Sequence, residues 1–125
     1  MKTISTDKAP AAIGPYSQAK VVGNLMFASG QCPFDPATGA IVGEDITAQA
    51  EMACQNCKAL VEGAGADLTK VVKTTCFIAD MADFAAFNSV YAEYFKGEKP
   101  ARSCVAVKQL PKNVLCEVEI IAVVE

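Results

Sequence analysis

The run "CEVEIIAVV", residues 116–124, constrains this chain more than any other stretch. Its density of β-branched residues marks a strand, and side chains alternate between the two faces of a strand. Ile121 and Val123 therefore point one way, while Ile120, Ala122 and Val124 point the other. Such a strand needs apolar cover on both sides. Helices packed on the sheet can cover one face. In an acidic chain, the simplest cover for the second face is another copy of the same protein, so a homo-oligomer is expected.

The rest of the chain supplies the sheet and the helices. "GN" at 23–24 separates two short β-prone runs and predicts a hairpin turning at 22–25. The segments 8–16 and 32–39 ("CPFDPATG") carry proline and glycine and read as loops. Ala50, Ala53, Cys54, Cys57, Leu60, Val61 and Ala64 recur at helical spacing and predict a helix over about 47–61. Asp45 or Thr47 can cap its start, and "GAG" at 63–65 can end it. "KVVKTTCFIA", 70–79, reads as a strand. A second helix over 83–95, capped by Asp80 or Asp83, carries Phe84, Phe87, Tyr91, Tyr94 and Phe95 on its apolar face. Two strands follow, about 102–108 and 115–124. The order β-β-α-β-α-β-β predicts an α+β domain spanning 1–125, a mixed sheet with two helices packed on one face.

Composition removes several function classes. The chain has no histidine, so no Ser-His-Asp or Cys-His arrangement exists, and a zinc site would need cysteine and carboxylate alone. No metal is expected. "CQNC", 54–57, has CxxC spacing, yet both cysteines fall on the apolar stripe of the first helix and not at a helix start. The six cysteines read as free thiols packed as small hydrophobes; only Cys32 lies outside a periodic apolar segment. A net charge of −3 and the lack of a basic patch argue against nucleic acid. No apolar run approaches the roughly 18 residues of a membrane span. "MKTISTDKAPAAIGPY" lacks the apolar segment of a secretory signal, so a cytoplasmic location is expected.

One residue stands apart. Of eleven basic side chains only Arg102, in "KPARSCV", is an arginine. On a strand Arg102 and Cys104 share a face, and Ser103, Val105 and Val107 share the other. Taking the valine side as the core side sends Arg102 and Cys104 to the face that meets a partner. Glu117 and Glu119 also share a face, expected to be the same one. Arginine's planar fork matches a carboxylate bidentately, which the point charge of lysine cannot do. An interfacial ion pair is the simpler reading of this pattern; a site for a small carboxylate is the functional one.

The segments "APAAIGPYSQA" (9–19), "ASGQ" (28–31), "KTTCFIADMADFAAFNSVYAEYF" (73–95) and "PARSCVAVKQLPKNVLCEVEIIAV" (100–123) together resemble the RidA/YjgF family of enamine/imine deaminases. The resemblance implies a chorismate-mutase-like fold and a homotrimer with clefts between subunits. It implies hydrolysis of 2-imino acids, or their 2-enamino tautomers, to 2-oxo acids and ammonia, without a cofactor. By the same resemblance Arg102 matches the residue that clamps the substrate carboxylate, and Glu117 the one that activates water. Cys104 and Tyr16 match residues lining or reaching the pocket, and Ser29 and Asn88 match further pocket positions. Glu119 matches an acid of the signature that is not the catalytic one. The departures are Cys116 and the short loop "KGEK" before Pro100.

This chemistry suits the residues available. Imines hydrolyse readily, so holding the carboxylate and placing a water contributes much of the effect. One carboxylate can take the water's proton and pass it to the departing nitrogen, with no histidine required. Cys104 has three possible roles, as nucleophile, pocket wall or structural residue. Tyr16, Ser29 and Asn88 each have a plain structural reading: a ring packed under the Pro15 turn, a strand end, and helix packing. The alternative to an enzyme is a trimer that binds a small carboxylate for regulation or protein contact. Ribonuclease activity fits poorly with an acidic chain holding one arginine.

Overall fold

The two-faced strand lies inside the sheet. In a computed structural model describing residues 1–125, it is flanked on both sides. The elements in chain order are β1 (Lys2–Ile4), β2 (Ala19–Val22), β3 (Leu25–Ala28), α1 (Ile46–Gly63), β4 (Val71–Ile78), α2 (Phe84–Tyr94), β5 (Ala101–Ala106) and β6 (Cys116–Val123). They form one mixed six-stranded sheet of order β1-β2-β3-β6-β4-β5. Only the β4–β5 pair is parallel, as its helical crossover α2 allows; the other neighbours are antiparallel. β1 was not expected. Its three residues are too few to show alternation, and it pairs only with β2 at the sheet's edge.

Local chemistry accounts for the boundaries. Val22 pairs with Leu25 across Gly23 and Asn24. Gly23 has φ +60°, the left-handed backbone that a tight hairpin with glycine first requires. At α1 the Asp45 side chain accepts a hydrogen bond from the Ala48 N–H at 2.9 Å, which satisfies an otherwise orphaned donor. At the second helix the cap is Asp80, not Asp83. Asp80 accepts from the Ala82 N–H and opens a short turn that runs into α2; Asp83 makes no capping bond.

The core lies between the helices and one sheet face. Ala50, Ala53, Cys54, Cys57, Leu60 and Val61 of α1 are fully buried, as is Phe87 of α2. All of these but Leu60 belong to one cluster with Cys76 and Ile78 of β4 and Cys116, Val118, Ile120 and Ala122 of β6. Tyr91 and Phe95 stack with ring centroids 4.4 Å apart, and the Tyr91 hydroxyl shares a 2.7 Å hydrogen bond with Thr74, so neither polar group is buried unpaired. The opposite sheet face carries Leu25, Phe27, Phe77, Val105, Ile121 and Val123. No helix covers it, and Phe27 and Val105 are 44% and 47% exposed.

β5 reverses one expectation. Its register puts Cys104 opposite Cys76 and Val105 opposite Phe77. Cys76 is a core residue, so Arg102 and Cys104 face the helices, and Val105 faces the uncovered side. The valines misled because both sheet faces are apolar. On such a sheet hydrophobicity cannot tell one side from the other.

All six cysteines are unpaired; five are buried, and Cys104 is half-buried. Burial raises every thiol above its ordinary range, with Cys76 and Cys116 both pushed up to about 12. The expected outcome with a disulfide-exchange reagent at pH 8 is that Cys104 reacts first and more slowly than free cysteine. The other five should react only after denaturant is added. Counting released thiolate with and without guanidinium checks this, and fast reaction of Cys54 and Cys57 would revive a redox role for "CQNC".

Candidate active site

Glu117 is half-buried on the uncovered face of β6, the strand's less crowded side. Immediately beyond β3, Gln31 bridges to Val118: its N–H donates to the Val118 carbonyl at 2.7 Å and its carbonyl accepts from the Val118 N–H at 3.0 Å. This short extension of the sheet lays Gly30 beside Glu117. A Cβ on Gly30 would lie 2.0 Å from Glu117 Oε2. The φ of Gly30 is not in the left-handed region, so the position needs glycine for space alone.

The other carboxylate oxygen meets a thiol. Cys32 Sγ donates to Glu117 Oε1 at 3.2 Å. The loop that carries Cys32 is held from α1, where Asn56 Nδ2 donates to the carbonyls of Cys32 and Phe34 at 3.0 and 2.9 Å. The loop before β2 is held by Gln18. Its side chain accepts from the Thr6 N–H and donates to the carbonyls of Thr6 and Pro10. That brings Tyr16 to the rim. The result is a pocket of about 790 Å³, lined among others by Tyr16, Ser29, Cys32, Phe34, Asp35 and Glu117. Ser29 is not free there: its hydroxyl donates to the Ser17 carbonyl at 2.6 Å.

The remaining residues expected at the site form a second group. Arg102 lies on the helix side of edge strand β5, with its guanidinium carbon 4.8 Å from the Tyr91 ring centroid and 5.5 Å from that of Phe84. These cation–π contacts hold the group against α2. Arg102 Nη1 donates to Asn88 Oδ1 at 2.6 Å, which leaves most of the fork open to solvent. Cys104 sits one pleat further along the same face. Burial pushes its thiol up while the Arg102 guanidinium pulls the other way, and the net direction is upward. A protonated thiol at neutral pH is a poor nucleophile.

The expectation that Arg102 and Glu117 share a face is therefore incorrect. Within one chain they are on opposite faces, with β4 between their strands. Tyr16, Ser29 and Glu117 gather at the pocket, and Arg102, Asn88 and Cys104 gather at the sheet edge. Sequence reasoning missed Gly30 and Cys32 as parts of the Glu117 environment. The available signal was that Cys32, alone among the cysteines, lies outside the apolar repeats.

The family profile described as Endoribonuclease L-PSP matches residues 6–124. The chain belongs to this family. It is the RidA/YjgF family, and one relative is the 2-iminobutanoate/2-iminopropanoate deaminase of Salmonella typhimurium. That protein is 51% identical over 125 residues, covering 98% of this chain and 97% of the relative. Among solved structures, the YjgF gene product of E. coli superposes with a TM-score of 0.94 at 48% identity, covering 98% of both chains. E. coli TdcF, solved with bound serine, superposes with a TM-score of 0.95 at 44% identity, covering 100% of both. The mixed sheet with two helices is thus the RidA/YjgF fold.

The contact between Gly30 and Glu117 yields a direct prediction. Gly30→Ala is expected to keep the fold, because the clashing atoms are the far end of a flexible side chain. The cost is about 1 kcal/mol in urea denaturation. The carboxylate should swing away from Cys32, which a crystal structure of the variant would reveal. A carboxylate left in place beside the added methyl group would contradict the close approach.

Proposed function

We propose that this chain is a deaminase that hydrolyses 2-imino acids, or their 2-enamino tautomers, to 2-oxo acids and ammonia. Substrates of the size of 2-iminobutanoate and 2-iminopropanoate fit the reading. The observation that carries it is the Glu117 carboxylate, which faces a pocket and has an uncharged thiol, not a cation, as its hydrogen-bond partner. A carboxylate in that state is available to accept a proton. The Salmonella relative bears the deaminase name, and serine, which like a 2-imino acid carries a carboxylate next to a nitrogen-bearing carbon, is bound in the TdcF structure.

In this mechanism Arg102 holds the substrate carboxylate with two parallel hydrogen bonds. Glu117 removes a proton from a water as the water's oxygen bonds to the imine carbon and the C=N π electrons move to nitrogen. Glu117 then passes that proton to the amino nitrogen of the tetrahedral intermediate. The same carboxylate carries the hydroxyl proton to that nitrogen as the carbon–oxygen double bond forms and the carbon–nitrogen bond breaks, releasing ammonia. Tyr16, Ser29, Asn88 and Cys104 shape the substrate site. Since Arg102 and Glu117 occupy opposite faces of one sheet, the reading requires Glu117 of one copy and Arg102 of the next. The uncovered apolar face supports self-association, and a homotrimer with sites between subunits is the assembly proposed. A cytoplasmic setting, where dehydrating pyridoxal-phosphate enzymes release such imines, is proposed with it.

A non-catalytic trimer that binds a small carboxylate would use Arg102 equally well. It would have no use for an acid facing the ligand. The endoribonuclease description is less well supported here, because the pocket holds Glu117 and Asp35 against the one cation Lys112, and phosphate binding depends on an excess of positive charge.

A coupled assay tests the proposal. A threonine dehydratase generates 2-iminobutanoate, and loss of the imine is followed spectroscopically with and without this protein. Acceleration is expected. Glu117→Gln and Arg102→Lys should each lower kcat/KM by about a hundredfold or more, while Cys104→Ala keeps much of its activity. Absence of acceleration by folded, assembled protein would sink the enzyme reading and leave the carboxylate binder.

A further inference from the structure

Cys32 is the cysteine whose thiol meets a carboxylate; the Cys57 thiol donates to a backbone carbonyl and that of Cys76 to a hydroxyl. We propose that Cys32 is a positioning residue, whose S–H holds the Glu117 carboxylate at the floor of the pocket. Its catalytic consequence rests on the deaminase reading; its geometry does not.

Three features support this. First, Sγ is carried by a fixed backbone. The Cys32 carbonyl accepts from the Phe34 N–H at 2.8 Å and from Asn56 Nδ2 at 3.0 Å, and Asn56 is completely buried in α1. The backbone of Cys32 cannot shift without breaking bonds to the core, so only side-chain rotation is left to the thiol. Second, the two carboxylate oxygens have distinct surroundings. Oε1 accepts the hydrogen bond of the thiol, and Oε2 fills the space that the absent Cβ of residue 30 leaves. Third, the donor keeps its proton. Cys32 is buried, and that burial, together with the negative charge of Glu117 and the nearby Cys116 thiol, pushes the thiol well above its ordinary range. A thiolate there would repel Glu117, whereas the S–H attracts it.

The choice of donor suits a proton-transferring acid. A lysine or arginine in the same place would form an ion pair, stabilise the carboxylate anion and weaken its hold on the proton that Glu117 must carry. A thiol is a weak, neutral donor. It restricts the carboxylate's orientation while leaving Oε2 for water, and orientation is where much of the rate of such a reaction originates.

Two readouts decide the matter. The S–H stretching band falls in an infrared window clear of other protein absorption, and the parent-minus-Cys32→Ser difference spectrum isolates the Cys32 band. It should lie below the band of an unbonded thiol and move up in Glu117→Ala. A Cys32 band that ignores Glu117→Ala overturns the proposal, whatever the chain catalyses. In the imine assay Cys32→Ala should lower kcat about tenfold, the worth of one hydrogen bond to a charged group, with KM little changed. Cys32→Ser, which restores a donor, should recover most of the loss. Full kcat in Cys32→Ala overturns the proposal. So does a loss that serine fails to restore, since that assigns Cys32 to packing. Should Cys32→Ala not fold, as judged by circular dichroism, Cys32→Val, close in volume and lacking a donor, takes its place. A parent chain without turnover defeats the deaminase reading, and the infrared arm then decides the Cys32–Glu117 bond by itself.

Discussion

The molecule is organised by the demand of β6 for apolar contact on both sides. One side is met within the chain, by the apolar stripes of α1 and α2. The other side is left to water or to a second molecule. The same strand begins with two acids on its uncovered side before turning wholly apolar. The carboxylate of Glu117 thus stands at the end of the uncovered apolar face. Under the proposed reading, one strand serves both chemistry and assembly.

Much of this could be read from residue order. The two helices, the hairpin and five of the six strands follow from periodicity and turn residues, because those signals are local. β1 escaped because three residues contain no period. The facing of β5 escaped for a different reason. Side assignment relies on one face being apolar and the other polar, and a sheet with two apolar faces removes that contrast. Arg102 then becomes ambiguous, since a guanidinium resting over Tyr91 and Phe84 can belong to the helix side without being buried. The RidA/YjgF motifs identified Glu117 and Arg102 as residues of interest. They could not reveal that a single chain separates the two.

The surroundings of Glu117 illustrate what residue order conceals. Gly30 and Cys32 precede it by more than eighty positions. They reach it only through the Gln31–Val118 bridge and the hold of Asn56 on the following loop. Neither contact leaves a trace in composition. Both join segments distant in sequence, so the environment of the acid is a product of long-range pairing and not of any motif.

The cysteine-lined core has a consequence for the life of the molecule outside its native state. Folded, the chain buries five of its six thiols and joins none of them in a disulfide. Unfolded, it releases six at once, and six thiols can be paired in fifteen ways. Since the native state contains no disulfide, every one of those pairings is off the route home. Loss of structure in an oxidising medium would therefore become permanent even where the folding equilibrium itself favours the native form. The lifetime of this protein is set by how rarely it opens and by how reducing its surroundings are, and a measured melting temperature would describe neither.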